Sequence, residues 1–411
     1  MDDGGVDGDG GPAVCGDGVV NGDEECDGAD VTHGACESCN IVCDTNYGDC
    51  NEDPTDGCES HFQSNPYACG GCETQCDPGQ ICVSGGCGPT LVTKLLVADG
   101  QGEVFDLVRD GQYVYWSGVD SSGPYLRRWP HAGGGSVEDV APDDLEAELE
   151  MLAVDGSHVY AAACTDGGPV GLERSARELH RLPKGGGEPA VVHSTGGSIP
   201  CDAAIAVDDE SLYFTAVFTP MLGVPRLELQ SIPKGGGDAT ELFSSSLCLA
   251  TELDVDASHV YLGLRQDAEN RVITVPKTGG EATDLATTVR VPTDLLLLGD
   301  HVHYIDVDPE PDAWGTIHRV SKSGGAVELV VSGQMNPSDL AGDDGSIYWT
   351  NEGRVDDGAD DGRVVGAAAD GSDLQTVSAG EARPHLLVVT NDEVVWVNRN
   401  GGDAMVLTDG I

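Results

Sequence analysis

Residues 153–192 read AVDGSHVYAAACTDGGPVGLERSARELHRLPKGGGEPAVV, which is the pattern of four short strands joined by tight turns. The first two strands flank Asp155-Gly156, and the last two flank the turn from Lys184 to Gly187. Apolar, β-branched and aromatic residues between glycine-rich turns favour strands over helices. This stretch therefore predicts one small antiparallel sheet.

The second strand of this unit occurs seven times, at intervals of 42 to 53 residues. The copies are Val114-Tyr115-Trp116, Val159-Tyr160-Ala161, Leu212-Tyr213-Phe214, Val260-Tyr261-Leu262, Val302-His303-Tyr304, Ile347-Tyr348-Trp349 and Val394-Val395-Trp396. The turn after the third strand repeats as well, and four of its copies carry lysines that we expect to be solvated, namely Lys184, Lys234, Lys277 and Lys322. Such a period with four strands per unit is typical of β-propellers. The sequence predicts an all-β fold, a seven-bladed β-propeller with four-stranded blades.

The two ends of the repeat region indicate how the ring closes. The last copy contains three strands and no fourth. Residues 91–98 match the fourth strand of an earlier copy, and both continue through a Gly-Gln step, at Gly100-Gln101 and Gly333-Gln334. We therefore expect the strand at 91–98 to complete the last blade, which would leave no open edge in the ring.

Charge and cysteine content divide the 411 residues into parts. Residues 1–90 contain 19 acidic residues and no lysine or arginine, and the whole chain has a net charge of −52. Such a field opposes binding to nucleic acid and to anionic membrane surfaces. We predict a disordered acidic linker at 1–14, cysteine-rich modules at 15–42 and 43–88, and the propeller at 89–411.

Twelve of the 15 cysteines lie in the two modules, a density that favours disulfides in an oxidising compartment. We expect them to pair within two groups, Cys15, Cys26, Cys36 and Cys39 in the first and Cys43, Cys50, Cys58, Cys69, Cys72, Cys76, Cys82 and Cys87 in the second. The pattern of pairing stays open, because eight cysteines allow 105 connectivities. Metal binding by Cys69 and Cys72 is the alternative. In the propeller we predict a Cys164–Cys201 bridge, and Cys248 is then either free or competes for Cys201.

The motifs Cys15-Gly16-Asp17-Gly18 and Glu24-Glu25-Cys26-Asp27 resemble the cysteine-rich repeat of secreted and surface proteins of myxobacteria. Residues 43–88 resemble a companion module of the same proteins. The repeats resemble secreted propellers with Val-Tyr-Trp and Pro-Lys-Gly-Gly motifs and, more distantly, YWTD propellers, with Ile347-Tyr348-Trp349-Thr350 as the nearest match. The resemblance implies an extracellular or outer-surface, lipoprotein-like protein. The sequence as given begins without a signal segment and contains no apolar run long enough to span a bilayer.

A polar residue stands at or just before the start of each predicted first strand, where it would face the mouth of the central channel. These residues are Asp106, Glu150, Asp202, Glu252, Asp294, Asp339 and His385. Clustered carboxylates attract a hard cation such as calcium or a basic ligand. The alternative is structural, with each carboxylate accepting backbone hydrogen bonds from the next blade.

Loops of the same face supply further candidates for ligand binding, namely Trp314, Asp308, Asp312, Asp356 and Asp360. Trp314 could stack on a sugar or on a basic side chain. The sequence contains no His-Glu-x-x-His, no Gly-x-Ser-x-Gly and no phosphate loop. These absences favour binding over catalysis.

We predict a monomeric, secreted or cell-surface recognition protein whose channel-mouth face binds a protein, peptide or glycan, with calcium as the candidate cofactor. Two alternatives stay open. One is a metal-dependent lyase or hydrolase that uses the channel-mouth carboxylates with His385. The other is a structural scaffold without a small ligand.

Overall fold

A computed structural model describes most of the chain, and the statements below concern only the residues it describes. These are 26, 33–50, 57–58, 60–62, 65, 68–76, 80–83, 85–89, 93–98, 100–131, 135–142, 147–166, 174–201, 204–218, 224–246, 248–266, 269–288, 290–307, 314–343, 345–354, 361–390, 393–399 and 403–408. All regular structure in these ranges is β-strand, as the sequence predicted. No helix in them could cross a membrane.

The cysteine-rich region contains six short strands that pair as three two-stranded sheets. They are β1 (Gly34–Glu37), β2 (Asn40–Cys43), β3 (Tyr47–Gly48), β4 (Ser60–His61), β5 (Gln80–Val83) and β6 (Gly86–Pro89). Such small sheets bury little apolar surface, so covalent closure carries much of the stability, at about 2–4 kcal/mol for each disulfide.

Five disulfides close this region, Cys26–Cys36, Cys43–Cys58, Cys50–Cys72, Cys69–Cys82 and Cys76–Cys87. The eight cysteines of the second group thus pair among themselves, as expected. The alternative of a metal held by Cys69 and Cys72 is wrong, because these two residues belong to different disulfides. Cys15 and the linker at 1–14 lie outside the described residues.

The repeat region consists of seven units of four strands, which we call repeats 1 to 7. Repeat 1 contains β8 (Glu103–Arg109), β9 (Tyr113–Asp120), β10 (Gly123–Pro130) and β11 (Glu138–Asp139); repeat 2 contains β12 (Glu148–Val154), β13 (His158–Asp166), β14 (Arg174–Pro183) and β15 (Ala190–Pro200); repeat 3 contains β16 (Ile205–Val207), β17 (Ser211–Phe218), β18 (Arg226–Pro233) and β19 (Thr240–Ser246). Repeat 4 contains β20 (Cys248–Val255), β21 (His259–Gln266), β22 (Asn270–Pro276) and β23 (Thr283–Thr288); repeat 5 contains β24 (Val291–Leu298), β25 (His301–Val307), β26 (Trp314–Ser321) and β27 (Glu328–Met335). Repeat 6 contains β28 (Pro337–Asp343), β29 (Ser346–Asn351), β30 (Gly362–Ala368) and β31 (Gln375–Glu381); repeat 7 contains β32 (Pro384–Val389), β33 (Glu393–Asn398), β34 (Asp403–Thr408) and β7 (Thr93–Ala98).

The prediction of seven separate sheets needs a correction. Repeats 1, 4, 5, 6 and 7 each form a four-stranded sheet, whereas repeats 2 and 3 together form one eight-stranded sheet. The join is the pairing of Ser198 in β15 with Val217 in β17. It arises because β15 extends to Pro200 and stays paired with β14 at Ile199–Ala176 and Pro200–Ser175, which places its end beside β17 of the next repeat.

The ring closes where the sequence predicted. Strand β7 pairs antiparallel with β34, with Lys94 opposite Leu407 and Leu95 opposite Val406. Each innermost strand then contacts the next one around the ring, in the order β8, β12, β16, β20, β24, β28, β32 and back to β8. The arrangement is that of a β-propeller, and it leaves a central channel between the innermost strands.

The four repeated lysines join neighbouring repeats, so the expectation that they are solvated is wrong. Each ammonium group contacts an aspartate in the first turn of the preceding repeat. The pairs are Lys184–Asp110 (2.5 Å), Lys234–Asp155 (2.8 Å), Lys277–Asp208 (2.7 Å) and Lys322–Asp256 (3.6 Å), and the four lysine side chains are only 13–22% exposed. Each aspartate also accepts a hydrogen bond from a tyrosine hydroxyl five residues on. These contacts bridge the junctions from repeat 1 to repeat 5.

The other three junctions are bridged by a tryptophan and a buried glutamine or glutamate. The indole Nε1 in the second strand of one repeat donates to the acceptor near the end of the fourth strand of the repeat before it. The pairs are Trp349–Gln334 (2.9 Å), Trp396–Glu381 (3.2 Å) and Trp116–Gln101 (3.3 Å). Every junction of the ring therefore has a polar side-chain bridge in addition to apolar packing.

The second cysteine-rich module packs against repeat 6. The Arg363 side chain is fully buried and donates to the carbonyl oxygens of Gln80 (2.9 Å) and Cys76 (3.3 Å). Strand β5 contacts β31, the outer strand of repeat 6. The outer edge of that repeat is therefore covered by the module.

The lysine bridges predict a pH-dependent loss of stability. Burial alone would raise the pKa of Asp208, but the Lys277 ammonium and two backbone amides lower it to about 2. Because this folded-state pKa lies below the unfolded value of about 3.9, the stabilisation is present above about pH 4 and is lost as the pH falls toward 2. We expect Asp208→Asn to lower the free energy of unfolding by about 1–2 kcal/mol at pH 7.

The measurement is chemical denaturation of the variant and of wild type at pH 7 and at pH 2.5. Asp209→Asn is the matched control, because Asp209 is the exposed neighbour of Asp208. An equal loss of stability in both variants, or a difference that is as large at pH 2.5 as at pH 7, would contradict the bridging role.

Candidate functional site: the acidic mouth of the central channel

The register of the innermost strands shows which residues occupy equivalent positions at the channel mouth. Asp106, Glu252, Asp294 and Asp339 each lie three residues before the first-strand residue that pairs with the first residue of the repeated second-strand motif. Those pairs are Arg109–Val114, Val255–Val260, Leu297–Val302 and Gly342–Ile347. Four of the seven predicted residues thus share one position, which we call the ring position.

The remaining three predicted residues do not occupy the ring position. In repeats 2 and 7 it belongs to Met151 and Leu386, so Glu150 and His385 each lie one residue too early. In repeat 3 it belongs to Ala204. Asp202 is two residues earlier and lies outside the described residues. The carboxylates therefore come from repeats 1, 4, 5 and 6, and the other three ring positions are apolar.

A β-bulge lies at the ring position in the first strands of repeats 1, 4 and 5. The pairing register shifts between Val104 and Asp106, between Ala250 and Glu252, and between Pro292 and Asp294. A bulge bends its strand and re-aims a side chain. In repeat 2 the shift spans Glu150 to Ala153, and Met151 adopts a positive φ of 52°. With this irregularity, Glu150 lies one residue before the ring position, which Met151 occupies.

Three of the ring carboxylates join neighbouring repeats through backbone hydrogen bonds. Each accepts the amide of the following residue and the amide of a leucine in the next repeat. The contacts between repeats are Leu152 N to Asp106 Oδ2, Leu340 N to Asp294 Oδ2 and Leu387 N to Asp339 Oδ2, each of 2.5 Å. The structural alternative raised by the sequence is thus present at these positions.

Burial raises the pKa of every ring carboxyl group. It raises the pKa of Asp106 to about 6, although the Leu152 and Leu107 amides oppose this shift. Burial and the negative charges of Asp106 and Asp339 raise the pKa of Glu252 well above its usual range. Burial and the charges of Asp339 and Glu252 do the same for the pKa of Asp294, and burial raises the pKa of Asp339. Asp294 and Asp339 also interact directly, and this interaction contributes to the raised pKa of Asp294.

His385 is poorly placed for proton transfer or metal binding. Its Nδ1 lies 3.2 Å from the carbonyl oxygen of Val397, and a second hydrogen bond involves the backbone of Val104. Burial and, to a smaller extent, the charge of Arg399 lower the pKa of His385 to about 4. The imidazole is therefore neutral at pH 7 and is engaged by the backbone.

The six described members of the predicted set line one cavity of about 370 Å³ at the channel mouth. They are Asp106, Glu150, Glu252, Asp294, Asp339 and His385. Among the described residues, those that line the cavity include no lysine or arginine. The negative charge of this cavity is therefore not neutralised by a basic side chain in its wall.

The ring carboxylates are too widely spaced for a compact metal site. Groups of three side chains with ligand atoms all within 4.8 Å of one another occur twice among the described residues, and neither group contains a ring carboxylate. One is Cys69, Cys76 and Cys87, and the other is Glu150, Cys164 and Cys201. All five of these cysteines are in disulfides, so neither group is a metal site in this state. Calcium binding at the channel mouth therefore stays a prediction, because no three ring carboxylates lie close enough together to chelate one ion.

The predicted loop residues can be described only in part. Trp314 begins β26 and its side chain is 40% exposed. Asp308, Asp312, Asp356 and Asp360 lie outside the described residues. Cys164 and Cys201 are joined by the expected disulfide, with a Cα–Cα distance of 6.3 Å, and Cys248 is a buried free thiol.

Comparisons with known proteins bear on the fold alone. No family model matches the chain, and no curated protein matches it. A catalytically inactive virginiamycin B lyase from Staphylococcus aureus, solved with quinupristin, is 12% identical to this chain and has a TM-score of 0.55. The match covers 77% of this chain and 98% of the lyase chain. An oligogalacturonate lyase in complex with manganese is 13% identical to this chain and has a TM-score of 0.55. The match covers 78% of this chain and 91% of the lyase chain. Both likenesses support the β-propeller fold.

The raised pKa values predict that stability falls as the pH rises through the neutral range. The folded protein keeps protons on the ring carboxyl groups where the unfolded chain has released them, between about pH 4 and pH 6. For Asp106, a shift from about 4 to about 6 costs on the order of 3 kcal/mol at pH 7 relative to pH 4. We therefore expect the melting temperature to rise as the pH is lowered from 7 to 5.

The measurement is thermal unfolding by circular dichroism at pH 5, 6 and 7, at fixed ionic strength. Asp106→Asn, which cannot titrate, is expected to show a smaller rise than wild type. A melting temperature that does not change between pH 5 and pH 7, or the same rise in the variant, would contradict the assignment.

Proposed function

We propose that the chain is a secreted or cell-surface recognition protein that binds a ligand with a cationic group at the mouth of its central channel. In this proposal the eight-stranded sheet counts as two blades, so that the ring is a seven-bladed propeller of residues 89–411. The cysteine-rich modules at 15–42 and 43–88 precede it as separate covalently closed units. The disulfides favour an oxidising, extracellular setting.

One observation carries this proposal. Four carboxyl groups converge in one cavity whose described wall contains no basic side chain, and each of them has a raised pKa. A carboxylate that is largely removed from solvent and that no positive charge neutralises is costly. A cationic ligand group in the cavity would offset this cost, so ligand binding and carboxyl ionisation would favour each other.

The spacing of the carboxylates favours an organic cation over a directly chelated ion. Calcium needs six to eight oxygen ligands at 2.3–2.6 Å. No three ring carboxylates bring their oxygens within 4.8 Å of one another. A lysine, arginine or amino-terminal group of a peptide or protein needs fewer contacts, each from a separate oxygen. The proposed ligand class is therefore a basic peptide or protein segment.

The same geometry argues against the lyase or hydrolase alternative. Asp106, Asp294 and Asp339 use both oxygens for backbone amides, which fixes them as parts of the ring wall. His385, the proposed catalytic partner, contacts backbone carbonyl groups. General acid–base catalysis needs a group within reach of substrate and free to exchange its proton.

The proposal is tested by titrating full-length protein with lysine- and arginine-rich peptides and with acidic peptides of the same length, using calorimetry at pH 7. We expect binding of basic peptides only. Glu252→Gln and Asp339→Asn are expected to weaken it by about tenfold each, since one charge-assisted contact contributes about 1.5–3 kcal/mol. Binding should also weaken as the pH falls from 7 to 5, because protonation removes the negative charge.

Asp209→Asn, which removes one negative charge far from the channel mouth, is the control for net charge. If Asp209→Asn weakens binding as much as Glu252→Gln does, the affinity reflects the acidic surface in general and the proposed site is wrong. Binding of acidic and basic peptides with equal affinity would also contradict the proposal.

A further inference from the structure

A second group of side chains meets where repeat 2 joins repeat 3. Glu150 is in β12, Cys164 is in β13, and Cys201 directly follows β15. The carboxylate oxygen of Glu150 and the two sulfur atoms all lie within 4.8 Å of one another. Glu150 is 8% exposed and Cys164 is 3% exposed. The Glu150 carboxylate thus lies beside the Cys164–Cys201 disulfide in a largely buried position.

This group is open to the channel. Glu150 and Cys201 both line the cavity at the channel mouth, and Cys201 is only partly buried. A small thiol reagent or a metal ion in the cavity would therefore reach the sulfur of Cys201 and the carboxylate of Glu150. The buried Cys164 would be reached through its partner.

We propose that reduction of the Cys164–Cys201 disulfide creates a binding site for a divalent metal ion such as zinc. A dithiol reduces the bridge by thiol–disulfide exchange: its two sulfurs form a new disulfide, and Cys164 and Cys201 gain two electrons and two protons. The metal then displaces both thiol protons. Two thiolates and the Glu150 carboxylate supply three ligands, and the fourth position faces the cavity.

The donor set favours zinc over calcium or magnesium. Thiolates are soft ligands that select zinc and related metals, whereas calcium and magnesium prefer oxygen alone. A three-ligand site with one open position is the arrangement of zinc sites that accept an outside ligand. Without a metal, two thiolates beside a buried carboxylate would repel one another.

The third cysteine of the repeat region provides a matched control. Cys248 begins β20 in repeat 4 and is 7% exposed. Burial raises the pKa of the Cys248 thiol, which disfavours its thiolate form. It belongs to neither group of three ligand atoms found among the described residues. A variant at Cys248 therefore removes one thiol without changing the proposed site.

The experiment uses the full chain, treated with a dithiol and then freed of reductant without air. Cobalt(II) is titrated in, and the absorbance of the thiolate–cobalt bond is recorded before displacement by zinc. Wild type is compared with the double variant Cys164→Ser, Cys201→Ser. Both contain the same cysteine-rich modules, so the difference between them reports on the proposed site.

We expect the double variant to lose one tight equivalent of cobalt relative to wild type, and Cys248→Ser to lose none. Glu150→Gln should keep the thiolate absorbance but weaken the affinity by at least about tenfold, since even outer partners of metal ligands change affinity by that factor. This variant retains both thiols, so it tests the site even if the double variant is poorly folded.

Equal cobalt stoichiometry in wild type and the double variant would overturn the proposal. So would an unchanged affinity in Glu150→Gln, because the carboxylate would then not be a ligand. The proposal does not rest on peptide recognition, and unreduced protein should bind no cobalt through thiolates at this position.

Discussion

The pairing of β7 with β34 is the constraint on which the structure depends. It brings a segment before the first repeat against the last strand of the chain and turns a row of repeats into a ring. The innermost strands then contact one another in a closed cycle. Only in that cycle do Asp106 and Asp339, which are far apart in sequence, line the same cavity. The acidic mouth is therefore a product of closure, and no single repeat contains it.

The ring carboxylates have two roles that oppose each other in energy. Each cross-repeat hydrogen bond to a charged oxygen contributes about 1.5–3 kcal/mol. A rise in pKa of about two units costs about 3 kcal/mol at neutral pH. Because these magnitudes are comparable, an ionised carboxylate gives the ring little net stability. A cationic ligand in the cavity would shift this balance toward the ionised form.

The polar bridges between repeats show a division of the ring. Lysine and aspartate connect repeats 1 to 5, whereas a tryptophan with a buried glutamine or glutamate connects repeats 5, 6, 7 and 1. The acidic turns of the first half are thus neutralised by lysines on the face opposite the mouth. The mouth itself has no such partners among its described residues.

The sequence predicted the strands, the repeats and the closing strand, because turn motifs and apolar runs recur at a fixed period. It also predicted the Cys164–Cys201 bridge, because strand order places both residues at one end of repeats 2 and 3. It did not predict that Glu150 and His385 lie one residue before the ring position, because a register shift in the first strand leaves no mark in the pattern, although both residues line the cavity. The lysine bridges were missed, since a turn motif does not reveal its partner in the preceding repeat. The pairing of the eight module cysteines depends on tertiary contacts and cannot be read from spacing.

The most direct test of the account is a carboxyl-carbon NMR titration of Asp106, Glu252, Asp294 and Asp339, assigned by single substitution to Asn or Gln. Carboxyl groups that are largely removed from solvent and that no basic side chain neutralises should titrate above the usual range, with Asp106 near 6. The titrations of Asp294 and Asp339 should depend on each other, because the two carboxyl groups interact directly. Titration of all four groups near pH 4, independently of one another, would show that they are solvated and apart, and would contradict the proposed acidic mouth.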